Sequence, residues 1–189
     1  MLLKEITIYK DRVMLGKVFK EGGINLIYGE SGTGKTVSTI KALNEEDIIP
    51  ILLDYDGNDS PKDNECEYIH IDGVKYLKDI ESTIPTGKVI VIDTWQMLIT
   101  NGGGIKTIEA ICEAGNTVIL IAHNKAIATK QDIPDIDPRY SNHFSSKLFI
   151  EFDKGSKTKT NTRAPSYNLI VLKLRGYKGD RVLYNWMRD

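Results

Sequence analysis

Apolar residues along the chain come in short β-branched runs, and polar or amphipathic stretches separate these runs. Runs of this length, bounded by glycine, proline and polar turns, are typical of buried strands. Strands are predicted at 24–28, 48–56, 67–71, 88–93 and 117–123, and those at 24–28 and 48–56 are expected to be buried. Stretches between them suit helices, at 36–44, 74–82 and 105–114. Because strands that alternate with helices form parallel sheets covered on both faces, the pattern predicts a mainly parallel α/β fold.

The two ends of the chain follow a different pattern. Residues 5–9 and 12–19 predict a short antiparallel hairpin at the start. Three late runs have no helix between them, which predicts antiparallel strands at that edge of the sheet, at 147–153, 166–175 and 181–187. No apolar run approaches the roughly 20 residues of a membrane span. The length of 189 residues suits one domain that covers the chain from 1 to 189.

Charge is unevenly distributed along the chain, although the net charge is only −1. Residues 139–189 hold 11 Lys and Arg against 4 acidic residues, a net charge of +7 for this segment. Such a segment can bind a polyanion or an acidic neighbouring subunit. The alternative is that these residues form an ordinary solvent-exposed face. Cys66 and Cys112 suit a reducing cytosol and are expected to be small core residues rather than a disulfide or metal ligands.

The stretch GESGTGKT, residues 29–36, follows a predicted strand and precedes a predicted helix. It matches the phosphate-loop spacing GxxxxGK[ST], in which glycines let main-chain N–H groups approach a polyphosphate. The alternative is a glycine-rich turn without a ligand. Lys35 is predicted to contact the β- and γ-phosphates, and the Thr36 hydroxyl to bind Mg²⁺. The predicted nucleotide-binding residues are Gly29, Glu30, Ser31, Gly32, Thr33, Gly34, Lys35, Thr36 and Val37.

Polar residues end three of the other predicted core strands. Asp93 ends the strand VIVID and is predicted to hold Mg²⁺. Asp54 and Asp56 end the strand at 48–56, and either could orient the attacking water, or both simply begin an acidic loop. His123 ends the strand at 117–123 and is either a sensor of the γ-phosphate or a structural histidine. Because parallel strands end at one rim, we expect these side chains to meet.

Taken in this order, the phosphate loop, the element LLDYD and the strand VIVID resemble the RecA-like ATPases, the class of RecA, RadA, RadB and KaiC. The resemblance extends over most of residues 22–189. Compact forms of the class act as recombination ATPases of phages and archaeal viruses. The resemblance implies a RecA-like P-loop fold, ATP and Mg²⁺ as ligands, DNA as partner, single-stranded first, and a location in the cytoplasm, of the host if the protein is viral.

The resemblance also implies roles for particular positions. The class usually has Glu where this chain has Asp56, and often Gln where it has His123. It implies mobile DNA-binding loops at about 124–142 and 95–104. In the second loop, Trp95 either meets nucleic acid or packs in the core.

Lys173 and Arg175 have the spacing K-x-[KR] found late in RecA-like and KaiC-like chains. In that class the basic pair reaches the ATP site of the neighbouring subunit, where it neutralises phosphoryl charge. The spacing places both side chains on one face of a strand, which also suits a solvent-facing strand. A contact between subunits implies a head-to-tail homo-oligomer, either a ring or a filament.

Three functions remain open from the sequence. The first is an ATPase acting on DNA in recombination, annealing or replication support. The second is a KaiC-like or RadB-like regulator that acts through protein partners, and the third is a ring-shaped helicase or packaging motor. ATP is preferred to GTP because His123-Asn124-Lys125 lacks the Asp of a guanine-reading motif, which would fall at Ile127.

Overall fold

The computed structural model describes residues 21–57, 65–70, 86–124, 134–152, 166–174 and 182–187. The predicted hairpin at 5–9 and 12–19 and the predicted helix at 74–82 lie outside these residues. The described strands are β1 (Ile24–Gly29), β2 (Ile51–Asp54), β3 (Glu67–His70), β4 (Val89–Asp93), β5 (Thr117–His123), β6 (Phe144–Phe152), β7 (Ser166–Leu174) and β8 (Val182–Met187). The helices are α1 (Lys35–Asn44), α2 (Trp95–Thr100), α3 (Ile105–Glu113) and a short 3-10 helix (Pro138–Asn142).

The strands form one sheet in the order β3-β2-β4-β5-β1-β6-β7-β8. The first six in this order are parallel, which confirms the predicted parallel α/β sheet. Strand β7 pairs antiparallel with β6 and with β8. Strands β1, β4 and β5 are central, so their carboxyl ends lie side by side at one edge of the sheet.

The central strands are mostly apolar and are buried along almost their whole length. Every residue of β1 and of β2 is buried, and so are the first six residues of β5. Strands buried on both faces need continuous apolar runs rather than alternation, as the sequence has. Helix α3 contributes Ile105, Ile108 and Ile111, which lie on one side of the helix and are buried. None of the described helices is long and apolar enough to cross a lipid bilayer.

A buried polar group fixes β1 between its two neighbours. Asn25 is fully buried, and its amide nitrogen donates to the carbonyl oxygens of Gly23 and Val118, at 3.3 and 3.2 Å. Its oxygen accepts a hydrogen bond of 2.8 Å from the Ser146 hydroxyl on β6. Because both ends of the amide are satisfied, its burial costs little and the positions of β5, β1 and β6 become specific.

The predicted mobile loop at 95–104 is wrong for its first six residues, which form α2. Trp95 and Leu98 are three residues apart on the helix and are 5% and 0% exposed, so both pack in the core. Three glycines, at 102–104, follow this helix, and Gly102 has a left-handed φ of 82°, as is common just after a helix end. Trp95 is therefore a core residue and does not contact nucleic acid from this position.

Strand β2 is shorter than the predicted strand at 48–56. Ile48 is not yet in the strand, because its N–H donates to the Leu43 carbonyl in the last turn of α1, at 2.9 Å. Pro50 then precedes the first residue of the strand. At the other end the strand stops at Asp54, and residues 55–57 turn away with Gly57 at a φ of 71°. Asp54 and Asp56 therefore lie in different local structures.

Candidate functional site

Polar residues gather at the carboxyl edge of the parallel sheet. Asp54 is in register with Asp93, and Gly29 is in register with His123. An open cavity of about 310 Å³ lies at this edge. Of the residues predicted for the site, ten line this cavity: Ser31, Gly32, Gly34, Lys35, Thr36, Val37, Asp54, Asp56, Asp93 and His123. Two lining residues that the sequence did not indicate are Leu52 and Thr94.

The loop between β1 and α1 wraps around the start of the helix. Gly32 and Gly34 have left-handed φ values of 77° and 75°, which side chains with a Cβ rarely adopt. Within the loop, the Thr33 hydroxyl donates to the Glu30 carbonyl at 2.9 Å. The first turn of α1 contains no acidic residue, and no side chain in the described part of the chain caps it. Its N–H groups and dipole therefore remain suited to an anion.

Lys35 is folded back onto the loop. Its ammonium group donates to the carbonyl oxygens of Gly29 and Glu30, at 3.2 and 2.7 Å. The side chain is 6% exposed, and burial lowers the pKa of Lys35 to about 8, although Asp93, Asp56 and Glu30 favour the charged form. An anion bound beside this ammonium would stabilise the charge that burial disfavours.

Thr36 and Asp93 present oxygen atoms at the same point of the cavity. The Thr36 hydroxyl donates to Asp93 Oδ2 at 2.5 Å. Burial raises the pKa of Asp93 to about 6; the Thr36 bond and Lys35 lower it, and Asp56 and Asp54 raise it further. A hydroxyl and a carboxylate fit Mg²⁺, which prefers oxygen ligands.

The same donor set is incomplete for a metal bound by protein alone. Across the described residues, no group of three or more His, Cys, Asp and Glu side chains could hold a metal ion. Mg²⁺ commonly completes its shell with water and substrate phosphate oxygens. Beside Asp93, the Thr94 hydroxyl oxygen is buried and has no hydrogen-bond partner among the described residues. The site therefore fits a metal that arrives with a phosphate ligand.

Asp54 is fully engaged by the protein. It is 2% exposed, and its Oδ1 accepts from the N–H groups of Asp56 and Gly57, at 2.9 and 3.0 Å. Its Oδ2 accepts from the Tyr68 hydroxyl at 2.8 Å. These bonds fix the turn that follows β2. Asp56, by contrast, is exposed at the wall of the cavity, where a water could approach its carboxylate.

His123 is half-buried at the tip of β5 and lines the cavity. Burial, and then the charge of Lys35, lower the pKa of His123, against the opposing effect of Asp56 and Asp135. The imidazole is therefore mostly neutral near pH 7, when one nitrogen can donate and the other accept a hydrogen bond. Its main-chain N–H donates to the side chain of Gln96, a residue of α2 that the sequence did not indicate.

Of the predicted basic pair, the structure describes only the backbone position of Lys173. Strand β7 lies two strands from β1, and Lys173 is in register with Lys147, which is in register with Leu26 rather than with the end of β1. Arg175 lies outside the described residues. The predicted contact of both residues with a neighbouring subunit stays a prediction.

The predicted DNA-binding loop at 124–142 is described only in part. Residues 125–133 lie outside the described residues. Between residues 134 and 142 the chain makes specific contacts: Pro134 pairs with Asn124, and Asp137 caps the 3-10 helix by accepting from the Arg139 N–H at 2.9 Å. The Tyr140 ring packs edge-on against Trp95 with 5.9 Å between ring centroids. This part of the segment therefore packs against α2.

Comparison with known proteins gives a structural likeness without a likeness in sequence. No protein-family model matches the chain, and no curated protein matches its sequence. The crystal structure of the RadB recombinase is similar, with a TM-score of 0.63 over 92% of this chain and 90% of that one. The two sequences are 12% identical over this match. The likeness establishes the fold, a RecA-like parallel sheet flanked by helices.

Proposed function

We propose that this protein is a Mg²⁺-dependent ATPase of the RecA-like kind that acts on DNA, in recombination, annealing or replication support. The observation that supports the proposal most is the meeting of Lys35, Thr36 and Asp93 at one cavity beside an uncapped helix start. A phosphate loop on a RecA-like sheet suits a nucleoside triphosphate. The similar fold of the RadB recombinase supports the assignment to recombination.

The residues of the site would divide the chemistry between them. Main-chain N–H groups of residues 31–36 bind the phosphates, and Lys35 exchanges its bonds with the two loop carbonyls for the β- and γ-phosphate oxygens. Thr36 and Asp93 would hold Mg²⁺, which when bound neutralises charge on the transferring phosphoryl group. Asp56 orients the attacking water, and His123 hydrogen-bonds the γ-phosphate.

A second subunit would complete the site. Strand β7, which contains Lys173, is two strands from β1, and this order supports a contact made in a neighbouring copy rather than in the same chain. We propose that Lys173 and Arg175 approach the γ-phosphate bound by that neighbour, in a head-to-tail ring or filament. The basic residues of the segment 139–189 would supply contacts to DNA phosphates.

One observation favours a second candidate, a regulator of the RadB-like or KaiC-like kind that binds ATP and acts through protein partners. The RecA-like class usually has Glu at the position of Asp56, and the Asp side chain is one methylene shorter. The Asp56 carboxylate therefore extends less far into the cavity than a Glu carboxylate at this position would. Slow hydrolysis would follow, because a general base must lie within hydrogen-bond distance of the proton that it removes.

Fluorescence anisotropy of a labelled single-stranded oligonucleotide separates the two candidates. The DNA-acting ATPase predicts binding that ATP and Mg²⁺ strengthen and that falls steeply as salt rises. The Lys35→Ala variant serves as control and should bind DNA without the strengthening by ATP. Absence of DNA binding at low salt, in a protein that binds ATP, would overturn the DNA role and favour the regulator.

A further inference from the structure

Strand β5 extends past the point where its neighbour β4 leaves the sheet. The main-chain N–H and C=O groups of odd-numbered β5 residues point toward β4, as the bond from the Thr117 N–H to the Lys88 carbonyl shows. Those of even-numbered residues point toward β1. The register between the two strands ends at Asp93 and Ile121. After Thr94 the chain enters α2, so His123 faces an edge that β4 no longer occupies.

The Gln96 side chain fills this edge. Its Oε1 accepts from the His123 N–H at 3.2 Å, and its Nε2 donates to the Asp135 carbonyl at 3.1 Å. The Asp135 N–H donates directly to the His123 carbonyl at 2.8 Å. Opposite residues in a hydrogen-bonded position of an antiparallel pair exchange two main-chain bonds, one in each direction. Here one bond is direct, and the Gln96 carboxamide bridges the other.

The neighbouring residue of α2 holds the same returning chain. Trp95 packs against Tyr140, and Ile136 is 5% exposed within the core. Helix α2 begins two residues after Asp93. Its first residue, Trp95, contacts Tyr140, and its second, Gln96, contacts both His123 and Asp135. The bridge lies between His123, which lines the cavity, and a segment that does not line it.

We infer that Gln96 is a positioning residue: it fixes the position of His123 in the wall of the cavity and ties the chain at 134–136 to His123. The carboxamide of Gln96 has both an acceptor oxygen and a donor nitrogen, so it can accept from His123 and donate to Asp135 at the same time. The step from His123 to the γ-phosphate rests on the function proposed above. The bridge itself is independent of that function and is tested separately.

The test compares Gln96→Leu, which removes both bonds, with Gln96→Glu, which keeps the acceptor for His123 and loses the donor to Asp135. Residue-resolved hydrogen exchange without nucleotide should show the His123 amide about tenfold less protected in Gln96→Leu and nearly unchanged in Gln96→Glu. Ile99→Ala is the matched control, because Ile99 is on the same helix and 44% exposed. Equal protection of His123 in wild type and Gln96→Leu would overturn the inference.

Kinetics then tests the positioning role. Gln96→Leu should lower kcat for ATP about tenfold and leave the Kd for ATP within about twofold, and Gln96→Glu should lose less. Equal losses in the two variants, or a loss in Kd equal to the loss in kcat, would indicate a general structural role and overturn the inference. Failure of wild type to bind ATP would refute the proposed function instead, and the exchange result on the bridge would stand.

Discussion

Asp54 and Asp56 are two residues apart and have opposite surroundings. Asp54 is buried, and its carboxylate oxygens accept hydrogen bonds from the turn and from Tyr68. Asp56 is exposed at the cavity. Three hydrogen bonds from the protein already occupy the Asp54 carboxylate, which leaves it little room to accept one from a water. At this scale the structure favours Asp56 as the water-orienting residue and Asp54 as the residue that holds its turn.

This difference predicts losses of very different size in the rate of ATP hydrolysis for two isosteric variants. Asp56→Asn should lower the rate of ATP hydrolysis about a hundredfold, because an amide cannot act as base. Asp54→Asn should lower it by no more than about threefold, because an amide oxygen still accepts from the turn. Steady-state hydrolysis assays with the Kd for ATP measured in parallel check both. A larger loss in Asp54→Asn than in Asp56→Asn would contradict the assignment.

Asp93 gives a prediction for stability without nucleotide. Its pKa is raised by burial to about 6 in the folded chain, against about 3.9 when unfolded. The stability that it contributes is therefore complete below about pH 4 and is lost as the pH rises through 6. Asp93→Asn does not titrate and keeps an acceptor for Thr36. It should be more stable than wild type by about 2–3 kcal/mol at pH 8, and by less at pH 5.

Urea unfolding in EDTA at several pH values measures this difference. Glu45→Gln is the control, since Glu45 is exposed at the end of α1 and its removal should change stability by no more than about 0.5 kcal/mol. A gain in Asp93→Asn that stays the same at pH 5 and pH 8 would show that the buried charge is not its cause. The same variant should lose the extra stability that Mg²⁺ and ATP give to wild type.

At the scale of elements, helix α2 carries two sets of contacts. Its buried side packs Trp95 and Leu98 into the core, and Gln96 binds the tip of β5 and the returning chain. Leu98→Ala should therefore lower the free energy of unfolding by about 2–5 kcal/mol. Ile99→Ala, at an exposed position, should change it by about 0.5 kcal/mol or less. Chemical denaturation measures both.

A mobile DNA-binding loop at these residues would give the reverse pattern. Leu98→Ala would then leave stability unchanged and weaken binding to the oligonucleotide. That result would contradict the packing of α2 and support the mobile loop that the resemblance implies at 95–104.

The elements differ in how far the sequence alone predicts them, and the reason is the range of the interactions. The core strands and the phosphate loop follow from local runs and spacing, so their positions were predicted to within a few residues, apart from the longer ends given to β2. Helix α2 has six residues, too few for a clear period, and three glycines follow it. Tyr68 and Gln96 were missed because their bonds join residues 14 and 27 positions away along the chain.

At the scale of the whole molecule, the parallel order of the central strands brings one loop, three acidic residues and one histidine to a single edge. No curated protein matches the sequence, so the geometry of this edge supports the proposed function more than sequence likeness does. Of the basic residues of the segment 139–189, the structure describes Arg139, Lys147 and Lys173. The two lysines belong to β6 and β7, which lie on the side of β1 away from β4.

The most direct test is isothermal titration of ATP into the purified protein with Mg²⁺ present, for wild type and for Lys35→Ala. We predict saturable binding of one nucleotide per chain by wild type, at least about tenfold weakened in Lys35→Ala because a charge-assisted bond to phosphate is lost. Absence of binding by wild type, or equal affinity in the two proteins, would contradict a triphosphate site at this phosphate loop.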